Sequence, residues 1–141
     1  MADMGGRSSH VCSAIYYSTN NARTWNYHNL PEACNGCSTV VYNGSQYVFL
    51  TYGPRYVIKT SDFVTWDETK ISTSTYELYR LFYGNGVYFS PGYSSLRSTD
   101  GINWSSQTYY DGMGGGFANG KFFVCGYYNA REIKYSTDAA N

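Results

Sequence analysis

The sequence predicts an all-β protein of about three four-stranded β-propeller blades, completed by a second copy of the chain into a ring of about six blades. Three observations carry this expectation. A turn motif recurs: Ser18-Thr19-Asn20-Asn21-Ala22-Arg23-Thr24-Trp25, then Thr60-Ser61-Asp62-Phe63-Val64-Thr65-Trp66, then Ser98-Thr99-Asp100-Gly101-Ile102-Asn103-Trp104, with Ser136-Thr137-Asp138 opening a fourth copy. The copies begin 42, 38 and 38 residues apart, and a period near 40 built from short strands is the signature of a propeller blade. Between successive copies stands an Asn-Gly pair flanked by apolar or aromatic residues, at Asn43-Gly44, Asn85-Gly86 and Asn119-Gly120. Such a pair tolerates the positive φ of a type I′ turn and marks a hairpin.

Bulk properties agree. The chain has 141 residues, zero formal net charge, 19% aromatic and 14% charged residues, with 17 Tyr and 15 Gly, which favours strands and tight turns over helices. Zero net charge supplies no electrostatic pull toward nucleic acid or an anionic membrane. No stretch reaches the roughly 20 apolar residues of a membrane helix, and residues 1–10, a polar tail, lack the apolar core of a secretory signal. The localisation this leaves open is virion-associated or cytoplasmic.

The repeats occupy residues 11–141. His10-Val11-Cys12-Ser13 resembles Phe123-Val124-Cys125-Gly126, the second strand of a later unit. Each full unit reads as strand A, Asn-Gly hairpin, strand B, a looser turn, strand C, the Ser/Thr-x-Asp turn, and strand D starting at the Trp. The looser turns are Tyr52-Gly53-Pro54-Arg55, Pro91-Gly92-Tyr93-Ser94 and Gly126-Tyr127-Tyr128-Asn129, and strands C include Val57-Ile58-Lys59 and Ile133-Lys134-Tyr135. In the turn motif the Asp or Asn accepts bonds from backbone N–H groups a few residues on, and the Ser or Thr hydroxyl does the same more weakly. Glycine supplies a positive φ, and the Trp packs between neighbouring sheets. Ser18, Asn20, Trp25, Thr60, Asp62, Trp66, Ser98, Asp100, Trp104, Ser136 and Asp138 are therefore structural residues. The chain starts and stops inside a unit, and the expectation is that a homodimer completes the ring, the alternative being a piece of a longer propeller.

Ser18 to Trp25 resembles the Asp-box, or bacterial neuraminidase repeat, of sialidase-type propellers, with Asn20 for the Asp and Ala22 for the Gly. The shorter copies at Thr60 and Ser98 are similar to the Tyr-Ser-Thr-Asp-Gly-x-x-Trp repeats of phage tail and virion proteins. The similarity runs from about Val11 over nearly the whole chain. It implies the propeller fold and is not specific for activity.

Candidate chemistry is sparse. Cys34-Asn35-Gly36-Cys37 has a C-x-x-C spacing but is half of a four-ligand zinc site, and His28, His10 or Cys12 would have to converge on it. Plain thiols are expected, with Cys12 and Cys125 as small core residues at equivalent repeat positions. The sialidase resemblance implies an arginine cluster, a Tyr-Glu nucleophile and an Asp acid/base. Arg55, Arg80, Arg97 and Arg131, and Asp67, Glu68, Glu77, Asp111 and Glu132, show no spacing that assembles one. Gly112-Met113-Gly114-Gly115-Gly116 lacks the Lys-Ser/Thr end of a phosphate loop, and is expected to let backbones approach closely.

Tyrosine is the feature that points to binding. Tyr76, Tyr79, Tyr93, Tyr109, Tyr110, Tyr127 and Tyr128 fall in loops or beside strands, which on a propeller gather at its two faces, and their flat rings suit stacking on sugars. The expectation is a non-enzymatic, cofactor-free, lectin-like module of virion or tail type that binds a surface glycan. The alternatives are a protein-assembly scaffold and, third, a sialidase-like glycosidase.

Overall fold

The structure is a computed structural model that describes residues 14–31, 36–51, 56–71, 80–92, 95–107, 112–126 and 132–140. It is all-β, and no helix occurs among these residues. Thirteen strands form four antiparallel sheets in chain order. The first sheet pairs β1 (Ala14–Tyr17) with β2 (Asn26–Asn29). The second is a four-stranded meander of β3 (Cys37–Tyr42), β4 (Tyr47–Thr51), β5 (Tyr56–Thr60) and β6 (Asp67–Lys70). The third repeats that order with β7 (Phe82–Gly84), β8 (Val87–Ser90), β9 (Leu96–Ser98) and β10 (Ser105–Ser106). The fourth has β11 (Gly112–Ala118), β12 (Lys121–Gly126) and β13 (Ile133–Ser136). Among the described residues, two four-stranded sheets are flanked by a two-stranded and a three-stranded one.

Alternation along the strands explains how the sheets stack. Successive side chains point to opposite faces, so a strand apolar at every position can serve two neighbours. In β4 and β5, Val48, Leu50 and Val57 join Leu81, Tyr88 and Leu96 of the third sheet. The intervening Phe49 and Ile58 join Ile15 and Leu30 of the first. In β8, Val87 and Phe89 turn to Phe122, Val124 and Ala139 of the fourth sheet. Each sheet therefore has a trailing face toward its predecessor and a leading face toward its successor. Leu50, Val57, Ile58 and Val48 are wholly buried between sheets, and each such side chain contributes about 1.5–3 kcal/mol.

The first strands bring neighbouring sheets together: β7 lies against β3 on one side and against β11 and β12 on the other. Glycine permits this crowding. A Cβ on Gly84 would stand 2.3 Å from three ring atoms of Phe117, and one on Gly115 would stand 2.1 Å from the Phe123 carbonyl oxygen. The glycine run is thus part of strand β11, with an irregularity between Gly112 and Gly114.

Two of the three Asn-Gly pairs form the expected two-residue turns, with positive φ at Asn85 and Gly86 and at Asn119 and Gly120. The first differs. Tyr42 pairs with Tyr47, leaving four residues in the loop, and only Gly44 has a positive φ. There the Asn43 side-chain oxygen accepts from the N–H groups of Ser45 (2.9 Å) and Gln46 (2.8 Å), so an Asx turn replaces the type I′ hairpin.

Candidate functional site

The turns at Thr60, Ser98 and Ser136 share one geometry, and the turn at Ser18 is a version longer by one residue. In the turn at Ser98, Asp100 Oδ1 accepts from the backbone N–H groups of Ile102 and Asn103, both at 2.7 Å. Oδ2 accepts from Asn103 Nδ2 at 2.7 Å, and Ser98 Oγ accepts from the Gly101 N–H at 2.8 Å. Asp62 does the same for Val64 and Thr65, both at 2.8 Å, with Thr60 Oγ1 taking the Phe63 N–H. Asn20 accepts from the Thr24 N–H at 2.9 Å, and Asp138 from the Ala140 N–H at 3.0 Å. These donors favour the ionised carboxylate. Asp100 is held well below the ordinary carboxylate value of 3.8, chiefly by the Ile102 N–H, and Asp62 is lowered chiefly by the Thr65 N–H.

Glycine meets the positive-φ requirement of these turns only at Gly101; the equivalent positions carry Phe63 (φ 58°) and Ala139 (φ 56°), and the longer first turn has Asn21 and Ala22. The residue immediately before each Ser or Thr leaves the leading face and crosses to the next sheet's turn. Tyr17 stacks on Phe63, with ring centroids 4.6 Å apart, and its hydroxyl donates to the Phe63 carbonyl at 2.9 Å. Lys59 passes beside Gly101, and its Nζ donates to the Asp100 carbonyl at 2.8 Å. Arg97 Nε donates to the Asp138 carbonyl, also at 2.8 Å. A ring faces Phe63 and a long cation passes Gly101, while Ala139 joins the cluster of Phe89, Phe122 and Val124. The hairpins interlock likewise: Asn43 Nδ2 donates to the Tyr88 hydroxyl, and Asn85 Nδ2 donates to the carbonyls of Gly120 (2.9 Å) and Thr137 (3.0 Å). Burial of Tyr88 pushes its phenol pKa up. Composition hides these crossing residues, but aligning the repeat copies exposes them as the position preceding the motif.

Hairpins and turns thus share one end of the stack, as a bonded belt. The opposite strand ends, such as Thr51 and Tyr56, Gln107 and Gly112, or Gly126 and Glu132, bracket the connecting segments. Tyr76, Tyr79, Tyr93, Tyr109, Tyr110, Tyr127 and Tyr128 all belong to these segments and lie outside the described residues.

Trp66 and Trp104 pack between sheets as expected, Trp66 stacking on His28 with centroids 4.1 Å apart and planes 5° from parallel, and Trp104 lying against Tyr88. Trp25 departs from the expectation. It is 60% exposed because no sheet precedes its own among the described residues. With Tyr16 (66%) and Tyr27 (63%) it makes the trailing face of the first sheet aromatic and open. The leading face of the last sheet is open too, with Ile133 69% and Tyr135 65% exposed. Cys125, paired across from Ile133, is exposed there and is not a core residue, since no further sheet covers it among the described residues. A cleft of about 280 Å³ between the first two sheets is lined by Ala14, Tyr16, Cys37, Thr39, Val40 and Phe49, among others.

Among the described residues no three His, Cys, Asp or Glu side chains gather as a metal site. Cys37 Sγ lies 3.4 Å from the Thr39 carbonyl, and His28 Nε2 lies 2.7 Å from Glu68 Oε1. His10, Cys12 and Cys34 lie outside the described residues, as do Arg55, Arg131, Glu77 and Asp111. Of the described arginine and acid candidates, Arg97 serves the Asp138 carbonyl and Glu68 serves His28. No family model matches the chain, and no curated protein matches it.

Proposed function

We propose that the chain is a propeller-type recognition module without catalytic activity, lectin-like in the manner of virion or tail proteins, and that it binds a surface glycan through the end of the stack opposite the turn belt. The observation that supports this is the division of labour between the two ends. One end is spent on side-chain bonds that lock sheet to sheet. At the other, the described strands end on either side, in sequence, of the segments that hold the seven tyrosines. Rigid scaffolds place recognition residues on such connections, and tyrosine supplies flat, amphipathic faces for sugar rings. The test is a glycan array with the purified chain and its Tyr109→Ala and Tyr127→Ala variants. Binding that weakens at least tenfold in both variants is expected. Turnover of a fluorogenic sialoside would overturn the non-enzymatic assignment.

The two open sheet faces favour a second activity of the same chain, self-association as a homodimer that closes the propeller. Counted over the described residues, four sheets per chain would give a closed dimer eight sheets, within the roughly 4 to 8 blades that propellers use. A protein partner in place of a glycan is the scaffold alternative, and recovery of such a partner with no array signal would favour it.

A further inference from the structure

Three sheet boundaries within the chain use one contact. The residue before the turn motif crosses from the leading face and donates to a backbone carbonyl of the next turn, as Tyr17 does to Phe63, Lys59 to Asp100 and Arg97 to Asp138. Tyr135 is the fourth residue of this series, directly before Ser136. Its ring projects from the open leading face, with Lys121 Nζ 4.8 Å from the ring centroid. The Ser18–Trp25 turn is the complementary case: its sheet has no predecessor among the described residues.

We propose that Tyr135 of one copy docks on the first turn of a second copy, its hydroxyl donating to a carbonyl of the Asn20–Ala22 segment while Ile133 covers the Tyr16 and Tyr27 rings. This rests on the self-association reading and names the faces that meet. The occupant is a second copy because the two open faces are the two halves of an interface that the chain already builds three times, and in repeat architectures each boundary suits its neighbour. The chemistry agrees. Tyrosine stands at this position in Tyr17 as well, and Tyr16, Trp25 and Tyr27 on one face and Ile133 and Tyr135 on the other are large exposed apolar side chains. Such an interface joins unlike patches, so a pair joined once still has one free face of each kind. Two copies satisfy all four faces when the rotation closes.

The test is analytical ultracentrifugation of the full chain at micromolar concentration. One variant blocks the last sheet (Tyr135→Glu) and another blocks the first (Tyr16→Glu with Tyr27→Glu), with circular dichroism confirming the β spectrum of each. The wild type is expected at twice the chain mass and each blocked variant alone at the chain mass. An equimolar mixture of the two variants is expected to return to twice the mass, because the first sheet of one meets the last sheet of the other. Tyr135→Lys, which places at this position the residue that works in Lys59, is expected to keep the wild-type mass. A wild type that stays at the chain mass overturns self-association itself. A wild type that associates while Tyr135→Glu keeps its mass, or blocked variants that fail to associate when mixed, overturn the assignment of faces and leave self-association standing.

Discussion

If Asp100 is a turn clamp and not a catalytic acid, replacing it with alanine costs stability, while replacing it with asparagine costs much less. The carboxylate accepts two backbone N–H groups and one side-chain amide, all at 2.7 Å. Alanine removes these three contacts and a fourth, from the Ser98 hydroxyl at 2.9 Å. The turn is exposed, so water re-solvates the freed donors, and the loss resembles removal of a helix N-cap, about 1–2 kcal/mol. For a chain of this size each kcal/mol shifts Tm by roughly 3–5 °C, so Asp100→Ala is expected to melt about 3–10 °C lower. Asparagine keeps the Oδ1 acceptor, and Asn103 can rotate its amide to face the new Nδ2. The first turn already works this way, with Asn20 accepting from the Thr24 N–H and donating to Thr24 Oγ1. Asp100→Asn is therefore expected to lose under about 1 kcal/mol. The assay is thermal melting followed by circular dichroism at neutral pH. An alanine variant that melts with the wild type, or an asparagine variant as damaged as alanine, would refute the clamp.

Other consequences follow from the same contacts. Asp62 and Asp100 have folded-state pKa values below the ordinary 3.8. Their stabilisation is therefore present above about pH 4 and is lost as pH falls through the depressed values; an acid titration of Tm should show that loss, flattened in Asp62→Asn with Asp100→Asn. Gly84→Ala drives a methyl into the Phe117 ring, and denaturant unfolding should show a loss of about 1–3 kcal/mol or more. Lys59→Met keeps the buried stem but removes the donor to the Asp100 carbonyl, and the same unfolding assay should show a loss of about 1–2 kcal/mol.

Much of the fold is legible in the sequence because the repeat states it several times. The spacing of Thr60, Ser98 and Ser136 marks the sheet period, and the Asn85-Gly86 and Asn119-Gly120 pairs mark hairpins whose residues take the φ values their types favour. The Asn43-Gly44 pair looks the same but sits in a four-residue loop, because Tyr42 pairs with Tyr47 and the side chain of Asn43 closes the turn itself. Phe63 and Ala139 at positive φ were not legible, since nothing local favours them. Phe63 is justified by Tyr17, which reaches across from the preceding sheet, and Ala139 by burial in the cluster with Phe89 and Phe122. Trp25 shows the same limit: its sequence context matches Trp66 and Trp104, and only the absence of a preceding sheet among the described residues leaves it open.

Small-angle X-ray scattering from the wild-type chain tests the central claim, that a second copy completes the stacked sheets, most directly, since it yields mass and shape together. Twice the 15.9 kDa chain mass and a compact particle with a radius of gyration of about 19 Å are expected. A particle of 15.9 kDa at every concentration, or a mass that grows without limit as an open filament does, would contradict it.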